Sequence, residues 1–145
     1  MTDERPVLDQ LNLVVNDMEA SVAFYRRLGL EIADVAPAWA RDHREVGTPG
    51  GLDLDLDSHA FARTWDGGRS ESSGSVVVGF RLASREAVDR VYAELTEAGY
   101  RGSQSPYDAF WGARYAIVED PDGNPVGLMS PADPERRAAP PAPSQ

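Results

Sequence analysis

The 145-residue chain contains no cysteine, and this absence removes several classes of site at once. Without thiols there is no disulfide scaffold, no thiolate metal site and no cysteine nucleophile. The chain also lacks an apolar run long enough to span a bilayer, and its N-terminus, Met1 to Pro6, is charged rather than signal-like. We therefore expect a soluble cytoplasmic protein that does not contact a membrane.

Positive charge is scarce as well. The 14 basic residues face 24 acidic ones, which gives a formal net charge of −10. Binding of nucleic acid needs clustered cations against phosphate, so we do not expect a nucleic-acid partner. The excess of carboxylates favours cationic ligands through long-range attraction, although acidity that only keeps the protein soluble is the simpler interpretation.

Standard catalytic signatures are also missing. The only histidines are His43 and His59, and neither lies next to a plausible nucleophile in the sequence. No serine is framed by a nucleophile-elbow pattern, and no glycine-rich phosphate loop precedes a predicted helix. Each histidine therefore has two open interpretations, a surface residue or a donor that contacts a ligand.

What the chain does contain is an internal repeat. Each copy begins with an alternating strand-like run, continues as an amphipathic helix and then reaches a glycine. The aligned positions are Leu11 to Val15 with Val78 to Leu82, Glu19 with Glu86, Tyr25 with Tyr92, and Gly29 with Gly99. A unit of this size buries little surface alone, so the repeat predicts two modules that share a core and enclose a cavity.

The pattern of each copy predicts an α+β fold made of two βαβββ modules. The first module, residues 7–56, has predicted strands at 7–15, 30–35, 39–46 and 52–56, with a helix at 18–28 capped by Asn16 and Asp17. The second module, residues 76–130, has predicted strands at 76–82, 100–104, 113–119 and 125–130, with a helix capped by Ser84 that ends near Ala98.

Three segments lie outside the predicted modules. Residues 1–6 form an N-terminal tail. Residues 57–75, which are rich in serine, glycine and charge, are expected to be a linker or a mobile flap. Residues 131–145 carry five of the eleven prolines and no large apolar side chain, so we expect a disordered tail there.

Two stretches of the chain resemble the signatures of one protein family. These stretches are Leu8 to Val15 followed by Ser21 to Leu30, and Trp111 to Tyr115 followed by the turn Asp120-Pro121-Asp122-Gly123-Asn124. They resemble the opening and closing motifs of the vicinal oxygen chelate superfamily, which includes glyoxalase I, bleomycin-resistance proteins and extradiol dioxygenases. The resemblance covers nearly all of residues 7–131. It implies a curled mixed sheet around a cavity and a homodimer, and it is weak evidence for function because the fold hosts both metalloenzymes and metal-free binders.

Enzymes of this family place one metal ligand on each of four strands. The matching positions here are Gln10, Val77, either Asp53 or Asp55, and Gly127. Valine and glycine have no donor atom in their side chains, whereas a divalent ion needs three or four donors. The resemblance therefore predicts no metal of the family type in this chain, and we expect no other cofactor.

Strand alternation and aromatic content together suggest a ligand site. In residues 52–57 the leucines share one face and the aspartates the other, and Gln10 and Asn12 share a face of the first strand. Large aromatic side chains are concentrated near irregular segments, where they could stack on a planar ligand, plug the ends of the sheet or form a dimer contact. The candidate ligand-binding residues are Gln10, Asn12, Trp39, His43, Asp53, Asp55, Phe61, Trp65, Tyr107, Phe110 and Trp111.

These features predict a metal-independent binding protein of the bleomycin-resistance type. It would sequester a planar aromatic or cationic natural product, with no catalytic residue. A second hypothesis is an enzyme of the same superfamily, such as a lyase, isomerase or dioxygenase, that uses an atypical metal site or has His43 or Asp55 as an acid–base group. A third is a regulatory protein that binds a metabolite.

Overall fold

The structure, a computed structural model, describes residues 4–28, 30–48, 50–71, 73–119 and 123–142. Its strands are β1 (Val7–Val15), β2 (His43–Val46), β3 (Asp53–Ser58), β4 (Val76–Arg81), β5 (Gly102–Asp108), β6 (Arg114–Glu119) and β7 (Pro125–Met129). Its helices are α1 (Met18–Leu28), α2 (His59–Trp65) and α3 (Arg85–Glu97), followed by a 3-10 turn at Pro134–Arg136. Within the described ranges, every helix is too short or too polar to cross a membrane.

The strands form one mixed sheet in the order β2-β3-β1-β4-β7-β6-β5. Strand β1 pairs in parallel with β3, and β4 pairs in parallel with β7. Strand β2 pairs antiparallel with β3, and β6 pairs antiparallel with β7. The two halves meet where β1 and β4 pair antiparallel. The predicted α+β fold is confirmed, with β1, α1, β2 and β3 corresponding to β4, α3, β6 and β7. The sheet is open, with β2 and β5 at its edges.

The first half is less regular than the repeat predicts. The strand expected at 30–35 is reduced to one antiparallel bridge between Glu31 and Gly47. The strand expected at 39–46 begins only at His43, because backbone hydrogen bonds from Trp39 and Asp42 close turns before it. The bridge therefore occupies the place that the full strand β5 takes in the second half.

The segment expected to be a linker or flap contains packed structure. Residues 59–65 form α2, whose first turn is capped by Ser58 as its Oγ accepts a hydrogen bond from the Phe61 backbone at 3.0 Å. Phe61, Ala62 and Trp65 are buried. The serine and glycine content of the residues that follow the helix obscured this short amphipathic segment.

The tail, which was expected to be disordered, is instead held by backbone hydrogen bonds within residues 131–142, the part of it that the structure describes. The Asp133 amide donates to the Gly112 carbonyl at 3.0 Å, and the Ala138 amide donates to the Phe110 carbonyl at 2.8 Å. Gly112 has φ +95°, and a Cβ there would lie 2.3 Å from the Asp133 carbonyl oxygen, so only glycine fits. These bonds hold the segment against the loop between β5 and β6.

Parts of two predicted motifs lie outside the described residues. These parts are Gly29, the predicted stop of the first helix, and residues 120–122 of the turn that closes the family signature. The equivalent stop of α3, Gly99, has φ +104°, as a helix-ending glycine requires. Ser84 caps α3 as predicted, because its Oγ accepts from the Ala87 amide at 3.1 Å.

Three apolar clusters hold the fold together. One lies under α1 and includes Met18, Val22 and Leu56. One lies under α3 and includes Val88, Leu82 and Leu128, and the third, on the other face of the sheet, surrounds α2. The alternation in β3 therefore places its leucines under a helix and its aspartates on the opposite face. Phe24 on α1 is 61% exposed, so this aromatic side chain lies outside the three clusters.

We expect Leu56→Ala to lower the free energy of unfolding by roughly 2 to 5 kcal/mol, because it leaves a cavity under α1. The matched control is Leu8→Ala, since Leu8 is 50% exposed and its truncation should cost at most about 0.5 kcal/mol. Urea unfolding followed by tryptophan fluorescence measures both. Equal losses in the two variants would contradict the position of Leu56 in the core.

Candidate functional site

A cavity of about 870 Å³ lies against the sheet face that α1 and α3 leave uncovered. Its walls come from β1 to β4, from β6 and β7, from α2, from the residues next to β2, from the loop between β5 and β6, and from the segment after β7. The lining residues are Gln10, Asn12, Glu31, Ala33, His43, Glu45, Val46, Gly47, Thr48, Asp53, Leu54, Asp55, Asp57, Phe61, Trp65, Gly79, Phe110, Trp111, Tyr115, Met129, Ala132 and Arg137.

One wall of the cavity is acidic. Strand β3 presents Asp53, Asp55 and Asp57 at alternate positions, and these side chains are exposed, half-buried and fully buried in turn. They therefore run from the rim to the floor. Glu31 and Glu45 add two carboxylates near the rim, so five carboxylates share the lining with a single arginine, Arg137.

Hydrogen bonds connect the polar side chains across three strands. Gln10 Nε2 donates to Asp55 Oδ2 at 2.8 Å and to Asn12 Oδ1 at 3.0 Å. Asn12 Nδ2 in turn donates to Asp57 Oδ2 at 2.9 Å, and His43 Nδ1 lies 2.5 Å from Asp57 Oδ1. The choice between Asp53 and Asp55 as cavity carboxylate was left open by the sequence. Both line the cavity, and Asp55 is the one bound to Gln10.

The environment shifts the pKa of two members of this network. Burial raises the pKa of Asp55 to about 7, with the nearby carboxylates Asp57, Glu45 and Asp53 adding to the effect and His43 opposing it. Burial by itself lowers the pKa of His43, but its hydrogen bond to Asp57 and the surrounding negative charge outweigh burial and raise it. The charge of the acidic wall therefore changes close to neutral pH.

A second wall of the cavity is aromatic. The ring of Tyr115 lies edge-on to those of Trp111 and Trp65, with centroids 5.1 and 6.4 Å away. Phe61 and Phe110 continue the wall with centroids 6.3 Å apart. Burial raises the pKa of Tyr115 well above its ordinary value, so its phenol stays protonated. Trp111 Nε1 is 3.2 Å from the Met129 sulfur.

The two walls occupy equivalent positions in the two halves of the fold. His43 pairs with Asp57 across β2 and β3, as Tyr115 pairs with Met129 across β6 and β7. Asp55 likewise corresponds to Gly127, which faces Ile117 where Asp55 faces Glu45. One half of the repeat thus supplies polar side chains at positions where the other supplies apolar ones.

The four positions that hold a metal in family enzymes do not form such a site here. Val77 is fully buried in the apolar cluster around α2. A Cβ at Gly127 would lie 2.8 Å from the Tyr115 hydroxyl, so that space is taken by the phenol. Only Gln10 and the aspartates of β3 carry donors. In the part of the chain that the structure describes, no three histidine or acidic side chains are grouped to hold an ion.

Most of the residues singled out from the sequence come together in this cavity. Those that line it are Gln10, Asn12, His43, Asp53, Asp55, Phe61, Trp65, Phe110 and Trp111. Trp39 and Tyr107 lie behind it. Trp39 packs edge-on to Phe61, and the Tyr107 hydroxyl donates to the Trp65 carbonyl at 3.4 Å. His59 is on the surface, where its Nε2 lies 2.8 Å from Asn16 Oδ1.

Several lining residues were missed by the sequence argument. Asp57 could have been found, because it continues the alternation of Asp53 and Asp55. Tyr115 could have been found by extending the repeat, since it is the equivalent of His43. Arg137 could not, because it lies in the segment expected to be disordered. The others missed are Glu31, Glu45 and Met129, with several small or aliphatic residues.

Comparison with known proteins agrees with the fold. A family model for the Glyoxalase/Bleomycin resistance protein/Dioxygenase superfamily matches residues 7–128. An uncharacterized Bacillus subtilis (strain 168) protein, YraH, is 33% identical over 125 residues, covering 82% of this chain and 94% of that one.

Solved structures show the same architecture at low identity. A superfamily member from Vibrio splendidus 12B01 superposes with a TM-score of 0.58 at 16% identity, covering 88% of this chain and 99% of that chain. An Mn(II)-bound glyoxalase from Novosphingobium aromaticivorans gives 0.55 at 18% identity, covering 88% of this chain and 38% of that chain. These two likenesses concern the fold alone. The family-model match over residues 7–128 shows that the chain belongs to the Glyoxalase/Bleomycin resistance protein/Dioxygenase superfamily.

Proposed function

We propose that this protein binds and sequesters a planar aromatic compound that carries positive charge. The observation that supports the proposal is the cavity itself, in which an acidic wall on β3 and an aromatic wall around Tyr115 line the same space. Binding of this kind needs no metal and no catalytic group. A metal-independent resistance protein against a natural product would need only these two walls and sufficient abundance.

The acidic wall supports a cationic ligand. Five carboxylates line the cavity against one arginine, so a cation gains favourable interaction with the field of the wall. The Asp57 side chain at the floor is fully buried and that of Asp55 is partly buried, so their interactions are screened less than those of surface charges.

The aromatic wall supports a flat ligand. Rings of Trp111 and Phe110 are only partly buried, so they keep surface available to a molecule in the cavity. Stacking on such rings excludes water without requiring a fixed set of hydrogen bonds, and a cation above a ring face gains further attraction. A cavity of about 870 Å³ lies within the range that accommodates drug-sized molecules.

A second candidate function is an enzyme of the superfamily that uses acid–base residues. The observation that favours it is the short hydrogen bond between His43 and the buried Asp57.

The homodimer that the resemblance implies stays a prediction, which light scattering of the purified protein would test.

The proposed function is tested by titration with two flat tricyclic probes of similar size, the cation proflavine and the neutral acridone. Binding is followed by tryptophan fluorescence before and after treatment with a chelator, together with elemental analysis. We expect saturable binding of proflavine at one site per chain, weaker binding of acridone, and no effect of the chelator. Equal affinity for both probes would contradict recognition of positive charge by the acidic wall. Loss of binding after treatment with the chelator would contradict the proposal that binding needs no metal.

Trp111→Ala should weaken proflavine binding by roughly 1 to 3 kcal/mol, because it removes a ring that lines the cavity. The control is Trp39→Ala, which removes the same side chain from a position behind the cavity. Calorimetric dissociation constants for both variants give the comparison. A matching loss of affinity in the Trp39 variant would show that the effect is structural rather than a loss of contact.

Proflavine affinity should fall by roughly fivefold as pH drops through 7. Asp55, with a pKa of about 7, is charged above this pH and neutral below it, and the groups that face it are Gln10, His43, Glu45, Asp53 and Asp57. Protonation of His43 acts in the same direction.

Asp55→Asn should remove most of this pH dependence and leave the weaker, low-pH affinity. Asp53→Asn removes the same charge from the exposed rim, so it should weaken binding while the pH dependence remains. A pH profile of the Asp55 variant that matches the unmodified protein would refute the assignment.

A further inference from the structure

The buried carboxylate of Asp57 has an unusual set of partners. It is fully buried, and its two oxygens interact with His43 Nδ1 at 2.5 Å and with Asn12 Nδ2 at 2.9 Å. Across the described ranges, no arginine forms an ion pair with it. A buried carboxylate is costly unless it is paired and hydrogen-bonded, and His43 is the one partner here that can carry a compensating proton.

This contact fixes the chemistry of the His43 ring. When the imidazole is neutral, donation of its Nδ1 hydrogen to Asp57 leaves the lone pair on Nε2. No hydrogen bond to Nε2 occurs among the residues that the structure describes. The Phe61 ring packs at 5.3 Å, tilted by 42°, and restrains the imidazole plane. His43 is 32% exposed and lines the cavity, so a basic nitrogen borders the ligand space.

We infer that His43 is a general base, held by Asp57 as a positioning residue, which removes a proton from a planar aromatic carbon acid in the cavity. The inference rests on the proposed function in one respect, namely that a flat compound enters this cavity. In the step, the C–H bond breaks, its electron pair stays with the substrate and the proton moves to His43 Nε2. His43 then returns that proton to another substrate atom or to water, so the outcome is an isomerisation or an elimination.

The step is balanced without an oxidant, a reductant or a co-reactant. It needs a substrate whose carbanion is stabilised by its own conjugation or by loss of a leaving group. The Phe61 ring, which packs against the His43 imidazole, favours such a step because it limits the water that would solvate the base on that side.

The test uses 5-nitrobenzisoxazole, a flat probe whose ring opens when a base removes its single heterocyclic C–H proton. The electron pair of that bond forms the nitrile, the N–O bond breaks, and the coloured 2-cyano-4-nitrophenolate is released. We expect saturable ring opening that is roughly 100-fold slower in His43→Gln, which retains an amide near Asp57 but has no base. The matched control is His59→Gln, which changes the surface histidine and should leave the rate unchanged.

The pH dependence of ring opening in Asp57→Asn distinguishes a positioning role of Asp57 from a purely structural one. The charged groups around His43 are Asp57 and Asp55 on β3 and Glu45 on its own strand, while α2 contributes Phe61 and β1 contributes amides. Against the lowering effect of burial, Asp57 raises the pKa of His43. The rate of ring opening should therefore rise with pH through the His43 pKa, and the midpoint of that rise should move to lower pH in Asp57→Asn.

The outcomes separate this inference from the proposed function. Ring opening in the unmodified protein that is no faster than in His43→Gln overturns the general base, whether or not proflavine binds. An unchanged pH midpoint in a folded Asp57→Asn protein overturns the positioning role. If that variant does not fold, the pH midpoint of His43 in the unmodified protein, followed by NMR of its ring, decides instead: a midpoint below the ordinary value for histidine contradicts the pairing with Asp57.

Discussion

The antiparallel pairing of β1 with β4 is the contact on which the remainder of the structure depends. Each half of the chain forms only part of a sheet with one helix on it, which is too little to bury a core alone. Joining the halves at these central strands makes one continuous sheet and leaves its second face free. The cavity and α2 both occupy that face, so site and stability depend on the same row of backbone hydrogen bonds.

The symmetry of the repeat explains how one small fold obtains two unlike walls. His43 and Tyr115 occupy equivalent places, and so do Asp55 and Gly127, because the strand registers of the halves match. His43, Asp55 and Tyr115 line the cavity, and the Tyr115 phenol takes the space beside Gly127. The polar side chains of one half and the aromatic side chains of the other therefore line one shared space.

The sequence predicted the features that follow from periodicity. The repeat located β1, β4, α1 and α3 closely, and the alternation of leucine with aspartate predicted which face of β3 would be polar. Periodicity does not predict packing between residues that are distant in the sequence. Helix α2 lies in a stretch whose average composition is polar, although Phe61 and Trp65 are buried once the sheet is present. The shortened strand before β2 and the placement of Arg137 also depend on partners that are distant in sequence.

The segment after β7 crosses the loop between β5 and β6 and contributes Ala132 and Arg137 to the cavity. Its contacts with that loop are backbone hydrogen bonds to Gly112 and Phe110, and every side chain from 131 to 142 is at least partly exposed. Contacts of this kind break at low cost, because no apolar side chain has to leave a core. Displacement of this segment would therefore widen the cavity without breaking any strand pairing of the sheet, so a change in these residues would alter access to the ligand space and leave the core intact.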